Sequence, residues 1–448
     1  MINAKIILWI RRFALLLLQM TQVLGCGPQP SEIATIFPTT SPPTSTRTPA
    51  QTQTPTATVQ PTETKIPTPT LTPFVPKAVI KIFSHVPLSG DLAQDGQDIL
   101  HGAELAVQQL SGPLNEYRFK VELVPYDDQN LVETALVNAQ EIIDDSEILC
   151  GVGHYDADIT IAASDIYHEG GLAFINPTVT TPLLTDRSYP EVNRLIARID
   201  RQGLAAAQFA KAEGFNSVFI VSQRNQSSLS NAEYFRTEAG SLGIKRLGSV
   251  IRAVTDENRD EVVSQIMNLD PELIYMSSAA NQTIQLVSAL RAAGYKGSVL
   301  GTESLNSQSR ISKAGASLVE EGSLYFTITN PPMSYYSNAA KFAQDFENQY
   351  RQAPLSFAAR AYDATGICLK AIEEATRAKG GMLPTRAEVA KAIRALKDYR
   401  GITGTYNFNI KGDLSPAQYY VYQVVATDPG GWNQNPIAGP YEVTLPQP

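Results

Sequence analysis

The chain has 448 residues, more than one typical hydrophobic core organises, so at least two folded lobes are expected. Its formal net charge is −8, and no basic stripe with interleaved aromatic residues is present, which argues against a nucleic-acid partner. Only three cysteines occur, and none stands in a CxxC or Cys/His spacing typical of zinc or redox sites.

A basic and then apolar segment opens the chain. Three basic side chains precede the apolar run 13–18, which is too short to cross a bilayer and predicts a signal peptide over residues 1–25. The run ends in Val-Leu-Gly-Cys at 23–26, which resembles the lipobox of bacterial lipoproteins. Cys26 is therefore predicted to be lipidated, placing the protein outside the cytoplasm on a membrane anchor. The alternative is an ordinary cleaved signal beside an incidental cysteine.

Threonine and proline dominate the next segment, which has few large apolar side chains between residues 28 and 76. Such a composition cannot bury a core, so Cys26 and a disordered stalk are predicted to fill residues 26–76. Proline favours extended backbone of about 3.1 Å per residue, so this stalk could reach on the order of 100 Å. An unstructured leader without a spacing role is the alternative.

From about residue 77, short apolar strands alternate with helices whose apolar residues recur every 3.6 positions. Alternating units of this kind predict parallel sheets with helices on both faces, and ligands of such sheets bind at the carboxyl ends of strands. The predicted strands lie at 79–83, 121–124, 148–152, 172–175, 218–221 and 273–276. Helices are predicted around 100–110, 132–143, 160–168, 203–213, 229–242, 256–268 and 281–293.

The two remaining cysteines, Cys150 and Cys368, both stand in apolar, element-like surroundings. Free cysteine in such a context usually serves as a small buried hydrophobic residue. We therefore predict that both are free and that they do not form a disulfide with each other.

Short motifs in a fixed order extend over nearly the whole globular part of the chain. They stand at 87–90, 102–107, 126–128, 153–155, 163–167, 176–180, 291–294 and 404–408. Each motif alone is weakly specific, but their order and spacing resemble the leucine/isoleucine/valine-binding proteins, type 1 periplasmic receptors of ABC importers.

This resemblance implies an α/β architecture, the type 1 periplasmic-binding-protein fold. Two doubly wound parallel-sheet lobes would be joined by three crossover strands, and the ligand would lie in the cleft between them. By analogy, lobe one takes residues 77–199 plus 328–400, and lobe two takes residues 200–327 plus 401–448.

The resemblance also implies how an amino acid would be held. Thr178 aligns with a backbone-carbonyl partner of the ligand ammonium, Thr180 with a hydroxyl that grips both charged groups, and Glu303 with the carboxylate that binds the ammonium. Such a charge-assisted bond is roughly twice as strong as a neutral one. For Glu303 the alternative is a solvated acid on a loop.

At several positions this chain departs from the family. Ala157 aligns with the serine that grips the ligand carboxylate, while Asp95, Ser227 and Ala279 align with aromatic residues that contact the ligand side chain. Ser89, in the first motif, is also expected at the ligand. These exchanges predict a cleft more polar than one made for leucine, so the expected ligand is a small polar or zwitterionic, amino-acid-like solute.

Catalysis is not expected, because the four histidines form no nucleophile, zinc or other recognisable arrangement. His154 either touches the ligand or is a satisfied loop histidine. The pair Asp127 and Asp128 suggests either a metal site or a structural role, and the structural role is favoured. No cofactor, metal or catalytic residue is predicted.

The expected role is that of a monomeric lipoprotein that delivers its solute to an ABC permease. A sensory or regulatory receptor of the same fold is the alternative.

Overall fold

The computed structural model describes residues 75–444. The predicted signal peptide, Cys26 and the stalk as far as residue 74 lie outside the described residues. Within residues 75–444, no helix is both long enough and apolar enough to span a membrane.

Strands and helices alternate along the described chain. The strands are β1 (Ala78–Val86), β2 (Phe119–Asp127), β3 (Ile148–Gly153), β4 (Ala173–Asn176), β5 (Val192–Arg194), β6 (Ser217–Ser222), β7 (Lys245–Ile251), β8 (Leu273–Ser277), β9 (Ser298–Gly301), β10 (Leu324–Ile328), β11 (Tyr399–Arg400), β12 (Thr405–Tyr406), β13 (Ala417–Val424) and β14 (Ile437–Val443). The helices are α1 (Ala93–Leu110), α2 (Gly112–Glu116), α3 (Val132–Asp144), α4 (Ala157–Glu169), α5 (Leu183–Asp186), α6 (Gln202–Ala212), α7 (Gln226–Ser241), α8 (Arg259–Leu269), α9 (Ala280–Ala292), α10 (Gln308–Ala314), α11 (Ala340–Tyr350), α12 (Ala358–Ala378) and α13 (Arg386–Ala395).

Every strand and helix predicted up to residue 293 is present, with ends that differ by a few residues. The apolar periodicity that predicted them is the pattern that buries them. In β3, for example, all six residues are buried, as expected for a strand covered on both faces.

The first sheet has the strand order β2-β1-β3-β4-β5, and all its pairs are parallel. Helices cover both of its faces: apolar residues of α12 and α13 join the core on one side, and residues of α3 and α4 join the core on the other. Helix α12 can pack closely on α1 because Gly102 of α1 has no side chain. A Cβ atom there would collide with the backbone carbonyl of Ala358.

The second sheet has the order β14-β13-β10-β9-β8-β6-β7. Strands β6 to β10 pair in parallel, whereas β13 pairs antiparallel with both β10 and β14. The sheet is therefore mixed rather than wholly parallel. An antiparallel edge on a parallel sheet is common, and here the two edge strands β13 and β14 are joined by residues 425–436 without an α-helix.

The chain passes between the two sheets three times. Residues 195–201 lead from β5 to α6, residues 329–339 lead from β10 to α11, and residues 407–416 lead from β12 to β13. We call these the first, second and third crossings. They give the α/β fold expected from the sequence: two lobes, each with a sheet between helices, joined by three strands of chain.

Cys150 of β3 and Cys368 of α12 form a disulfide, so the prediction that both cysteines are free was wrong. Their Cα atoms are 5.9 Å apart although 218 positions separate them in sequence, because α12 packs directly over β3. Both residues are fully buried, as their apolar context predicted, but burial does not distinguish a thiol from a half-cystine.

Because the disulfide closes a long loop, its loss should raise the conformational entropy of the unfolded chain and so lower the stability of the fold. We expect the double variant Cys150→Ala/Cys368→Ala to lower the free energy of unfolding by about 2 to 5 kcal/mol. Urea denaturation monitored by circular dichroism measures this difference. Reductant should destabilise the wild type and leave the double variant unchanged; equal stability of the two oxidised proteins would contradict the bond.

Candidate ligand-binding cleft

A cavity of about 530 Å³ lies where loops at the carboxyl ends of strands in both sheets meet. This is the edge at which parallel sheets bind ligands, and the volume is typical of small-molecule sites. Its lining is mostly hydroxyl and amide side chains, with a few apolar ones. The lining residues are Thr178, Thr180, Ile196, Ile199, Gln223, Asn225, Ser227, Ser228, Asn231, Ser277, Ser278, Ala279, Thr302, Glu303, Ser304, Thr329, Asn330 and Phe357.

The loop after β4 carries two of the predicted ligand residues and is held by its own hydrogen bonds. The carbonyl oxygen of the Asn176 side chain accepts from the backbone N–H of Thr178 at 3.0 Å, while its Nδ2 donates to the carbonyl of Gly153 at 2.8 Å. The hydroxyl of Thr178 donates to the carbonyl of His154 at 2.7 Å. The loops after β3 and β4 are thus fixed against each other.

Thr180 has a different environment from Thr178. Its backbone carbonyl accepts from the N–H of Ile199 on the first crossing at 3.0 Å. Thr180 is half-buried and lines the cavity, and its hydroxyl makes no side-chain hydrogen bond within residues 75–444. Of the two threonines, Thr180 therefore has the hydroxyl that is available to a ligand.

Glu303 follows β9, and its carboxylate is held in place before any ligand arrives. It accepts from Nε2 of Gln202 at 2.9 Å and from the hydroxyl of Thr329 at 3.0 and 3.1 Å. Burial raises the pKa of Glu303, although the hydrogen bonds from Thr329 and Gln202 act in the opposite direction. Gln202 is itself fully buried, so the carboxylate has a fixed orientation.

The structure brings five of the eight predicted ligand residues to the cavity: Thr178, Thr180, Ser227, Ala279 and Glu303. The other three do not line it. Ala157 is the first residue of α4, Ser89 is exposed in the loop after β1, and Asp95 lies in the first turn of α1, where burial raises its pKa.

The prediction missed several lining residues that share one position in the fold. Each lies at or just after the carboxyl end of a buried strand of the second sheet. The rule that ligands bind at these ends could have identified those beside β6 and β8, which were predicted, but not those after β10, which was not. They are Gln223 and Asn225 after β6, Ser277 and Ser278 at the end of β8, and Thr329 and Asn330 after β10.

Beneath the loop after β3 lies a chain of polar groups, all of them buried except the partly buried Asn138. Nδ2 of Asn138 donates to Nε2 of His85 at 3.2 Å, and Nδ1 of His85 contacts the hydroxyl of Tyr167 at 2.8 Å. That hydroxyl contacts Nε2 of His154 at 3.1 Å, and Nδ1 of His154 contacts Oδ2 of Asp128 at 2.9 Å. Burial lowers the pKa of both histidines, that of His154 to about 3, so both rings are neutral.

The proton positions in this chain follow from its first member. Because Asn138 donates to Nε2 of His85, the ring proton of His85 lies on Nδ1. Nδ1–H of His85 then donates a hydrogen bond to the hydroxyl of Tyr167, and this hydroxyl donates to Nε2 of His154. Nδ1 of His154 then donates to Asp128. His85, His154 and Asp128 have ligand atoms within 4.8 Å of one another, as a metal site would need. Since hydrogen bonds already satisfy these ring nitrogens, we interpret the cluster as structural.

The neutral His154 predicts acid sensitivity. The pKa of His154 is 6.5 in the unfolded chain and about 3 in the folded one. Between these two pH values, His154 is protonated in the unfolded chain and neutral in the folded chain. The stability that His154 contributes is therefore full above pH 6.5 and is lost as the pH falls towards 3, by up to about 1.4 kcal/mol per pH unit. We expect His154→Gln to lose less stability on acidification than the wild type, measured by urea denaturation between pH 7 and 4.

The control is His168→Gln, which replaces a half-exposed histidine of α4 and shows how much of any change comes from the loss of one histidine alone. Asp98 and Asp363, whose pKa burial raises to about 6, act in the opposite direction in every variant and cancel in the comparison. Identical slopes for wild type and His154→Gln would show that the ring is protonated in the folded state.

A second cavity, of about 500 Å³, has Asp186, Arg198, Lys411 and Asp413 in its lining. These charges are already paired. Arg198 bonds Asp186 at 2.8 Å and Asp413 at 3.3 Å, and Lys411 bonds Asp186 at 3.4 Å. A ligand there would compete with existing ion pairs, so the cleft that contains Glu303 is the better candidate.

Comparison with known proteins agrees with this geometry. The sequence profile described as "Periplasmic binding protein" matches residues 79–429. The chain is 26% identical over 346 residues to the leucine-, isoleucine-, valine-, threonine- and alanine-binding protein of Pseudomonas aeruginosa, covering 77% of this chain and 89% of that protein. It is 26% identical over 347 residues to the Leu/Ile/Val-binding protein of Escherichia coli, covering 77% and 90%.

Among solved structures, a putative branched-chain amino acid ABC transporter from Rhodospirillum rubrum matches with a TM-score of 0.66 at 24% identity. The match covers 78% of this chain and 99% of that one. At this identity the likeness shows the fold, and the ligand has to be inferred from the side chains of the cleft.

Proposed function

The chain belongs to the periplasmic binding protein family, and from that premise we propose that it is an extracytoplasmic receptor for an amino-acid-like zwitterion. It would act as a monomer and deliver this solute to an ABC permease. Its relatives are named as binding proteins, and the cleft is accordingly treated as a binding site without catalytic residues.

The observation that carries the proposal is the charge of the cleft. Glu303 is the one ionisable side chain among the residues that line it; the others are hydroxyls, amides and apolar groups. Burial disfavours its charged form, and buried Arg360 behind the site acts in the opposite direction, but no lysine or arginine lines the cleft to pair with the carboxylate directly. A ligand ammonium would supply the missing positive charge, and its bond to a desolvated carboxylate would be short and strong.

The opposite end of a zwitterion can be bound by neutral donors. The hydroxyl of Thr180 is available, and the loop that carries it is fixed by Asn176 and by the first crossing. A carboxylate can be held by hydroxyl and backbone N–H groups when they are preorganised, since no reorganisation is then needed on binding. The polar lining therefore suits a zwitterion better than a purely cationic solute.

Binding and closure would be coupled, because the two halves of the site belong to different lobes. We propose 77–199 plus 328–406 for lobe one, with Thr178 and Thr180, and 200–327 plus 407–448 for lobe two, with Glu303; the expected boundary at residue 400 moves to the third crossing because β12 pairs with β11. A ligand favours a closed form only through its higher affinity for that form. A zwitterion that spans both lobes meets this condition, and the crossings are the hinge.

Glu303→Gln tests the ammonium site, because it keeps the shape of the side chain and removes its charge. We expect affinity for a zwitterionic ligand to fall by about 2 to 5 kcal/mol, as when one partner of a buried pair is lost. Calorimetry on the full-length protein, with ligands found by a thermal-shift screen of amino acids, amides and small carboxylates, measures the change.

The matched control is Glu320→Gln, which removes the same charge from an exposed position after α10. It should leave affinity unchanged and so corrects for the net charge of the lobe. Equal affinities of Glu303→Gln and the wild type would rule out the ammonium site. Small-angle scattering with and without ligand tests closure separately, and binding without compaction would refute it.

The lipid anchor remains part of the proposal. We expect Cys26→Ser to move the protein from the membrane fraction to the soluble fraction, since a serine cannot carry the thioether-linked lipid that a lipobox directs. Fractionation followed by immunoblotting of both proteins, expressed in a bacterial host with a lipoprotein pathway, measures this. A variant that stays with the membrane would contradict the anchor and leave the binding site unaffected.

A further inference from the structure

One wall of the cleft would not contact the ammonium or the carboxylate group of a zwitterion. The ammonium is assigned to Glu303 and the carboxylate to the loop after β4. What remains is the wall formed by the loops after β6 and β8, which are neighbouring strands of the second sheet. This outer wall consists of Gln223, Asn225, Ser227, Ser277, Ser278 and Ala279.

Five of these six side chains can both donate and accept hydrogen bonds. Oε1 of Gln223 accepts from Asn225 at 3.1 Å, and its Nε2 donates to the side chain of Gln282. The buried hydroxyl of Ser278 lies 2.9 Å from that of Thr283. An aliphatic ligand group against this wall would displace water from amides and hydroxyls without replacing its hydrogen bonds, which is unfavourable.

The wall also distinguishes neutral from charged polar groups. Helix α9 starts here, and Ala279 at its N-cap offers no side-chain acceptor, so the first N–H groups of the helix lack the usual side-chain cap. These donors would favour a carbonyl oxygen and a carboxylate alike. The decisive feature is the charge around them: the lining holds no lysine, arginine or histidine, and it does hold Glu303. A second ligand carboxylate would have no cation to pair with.

We propose that the outer wall selects a ligand whose side chain ends in an uncharged hydrogen-bonding group, a carboxamide, rather than in an aliphatic or carboxylate group. The carbonyl oxygen would accept from the N-terminus of α9, and the amide nitrogen would donate to oxygens of Gln223 and the serines. This inference rests on the proposed function, because it uses Glu303 and the loop after β4 as the sites of the charged groups.

Two sets of ligands of matched shape test the selection. L-asparagine, L-leucine and L-aspartate share one branched skeleton and differ only in the atoms at its end; L-glutamine, L-homoleucine and L-glutamate repeat the comparison one atom further out. Calorimetry on the full-length protein should give at least roughly tenfold tighter binding of the amide than of the other members in the set that fits. Tighter or equal binding of the aliphatic or the acidic member would overturn the inference while leaving the proposed function in place.

Gln223→Met locates the selection in the outer wall, since it keeps the length of the side chain and removes its amide. We expect the preference for the amide over the aliphatic ligand to shrink several-fold. The control Gln265→Met, on an exposed position of α8, should leave the preference unchanged. An unchanged preference in Gln223→Met would also overturn the inference. Failure of all six amino acids to bind would overturn it too if the wider screen returns another zwitterion, and would overturn the proposed function if the screen returns none.

Discussion

The buried ion pair between Arg194 and Asp413 fastens the hinge to the ligand loop. Arg194 ends β5 and is fully buried, and its Nε lies 2.8 Å from Oδ1 of Asp413 on the third crossing. Its Nη atoms donate to the backbone carbonyls of Val179 at 3.0 Å and Thr181 at 2.7 Å. An arginine without its carboxylate is very costly at such depth, so the ligand loop takes its position from the third crossing.

A second buried arginine extends this fastening to the other half of the site. Arg360 of α12 donates to the carbonyl of Leu195 on the first crossing at 2.7 Å and to that of Thr329 on the second at 3.1 Å. The hydroxyl of Thr329 in turn donates to the carboxylate of Glu303. The two arginines thus join all three crossings to residues that line the cleft. These bonds support the proposed coupling between movement of the crossings and changes at the cleft.

Periodicity was sufficient for the predicted strands and helices, and the ordered motifs were sufficient for the fold. The resemblance led to Thr178, Thr180 and Glu303, which line the cavity and whose contacts with a ligand stay predictions. The disulfide could not be predicted in this way, because a bonded and a free cysteine look alike in an apolar strand or helix. Nor could the roles of Arg194 and Arg360 be predicted, since each bonds backbone carbonyls that are distant in sequence. Contacts of this kind depend on the crossings, which leave no local pattern.

Some residues of the cleft are held by buried hydrogen bonds and others are not. This difference explains how ligand selectivity can change while the fold stays the same. The loop after β4 and Glu303 are held by buried groups, so exchanges there would disturb the hinge as well as the ligand. In the loops after β6 and β8, the exposed Ser227 and Ala279 line the cavity and make none of the buried contacts that hold Glu303 and the loop after β4. Substitutions at these two positions cost little stability and act directly on selectivity. Ser227 and Ala279 are also two of the positions where the resemblance implied that aromatic residues are replaced, so these departures fall where they disturb the rest of the structure least.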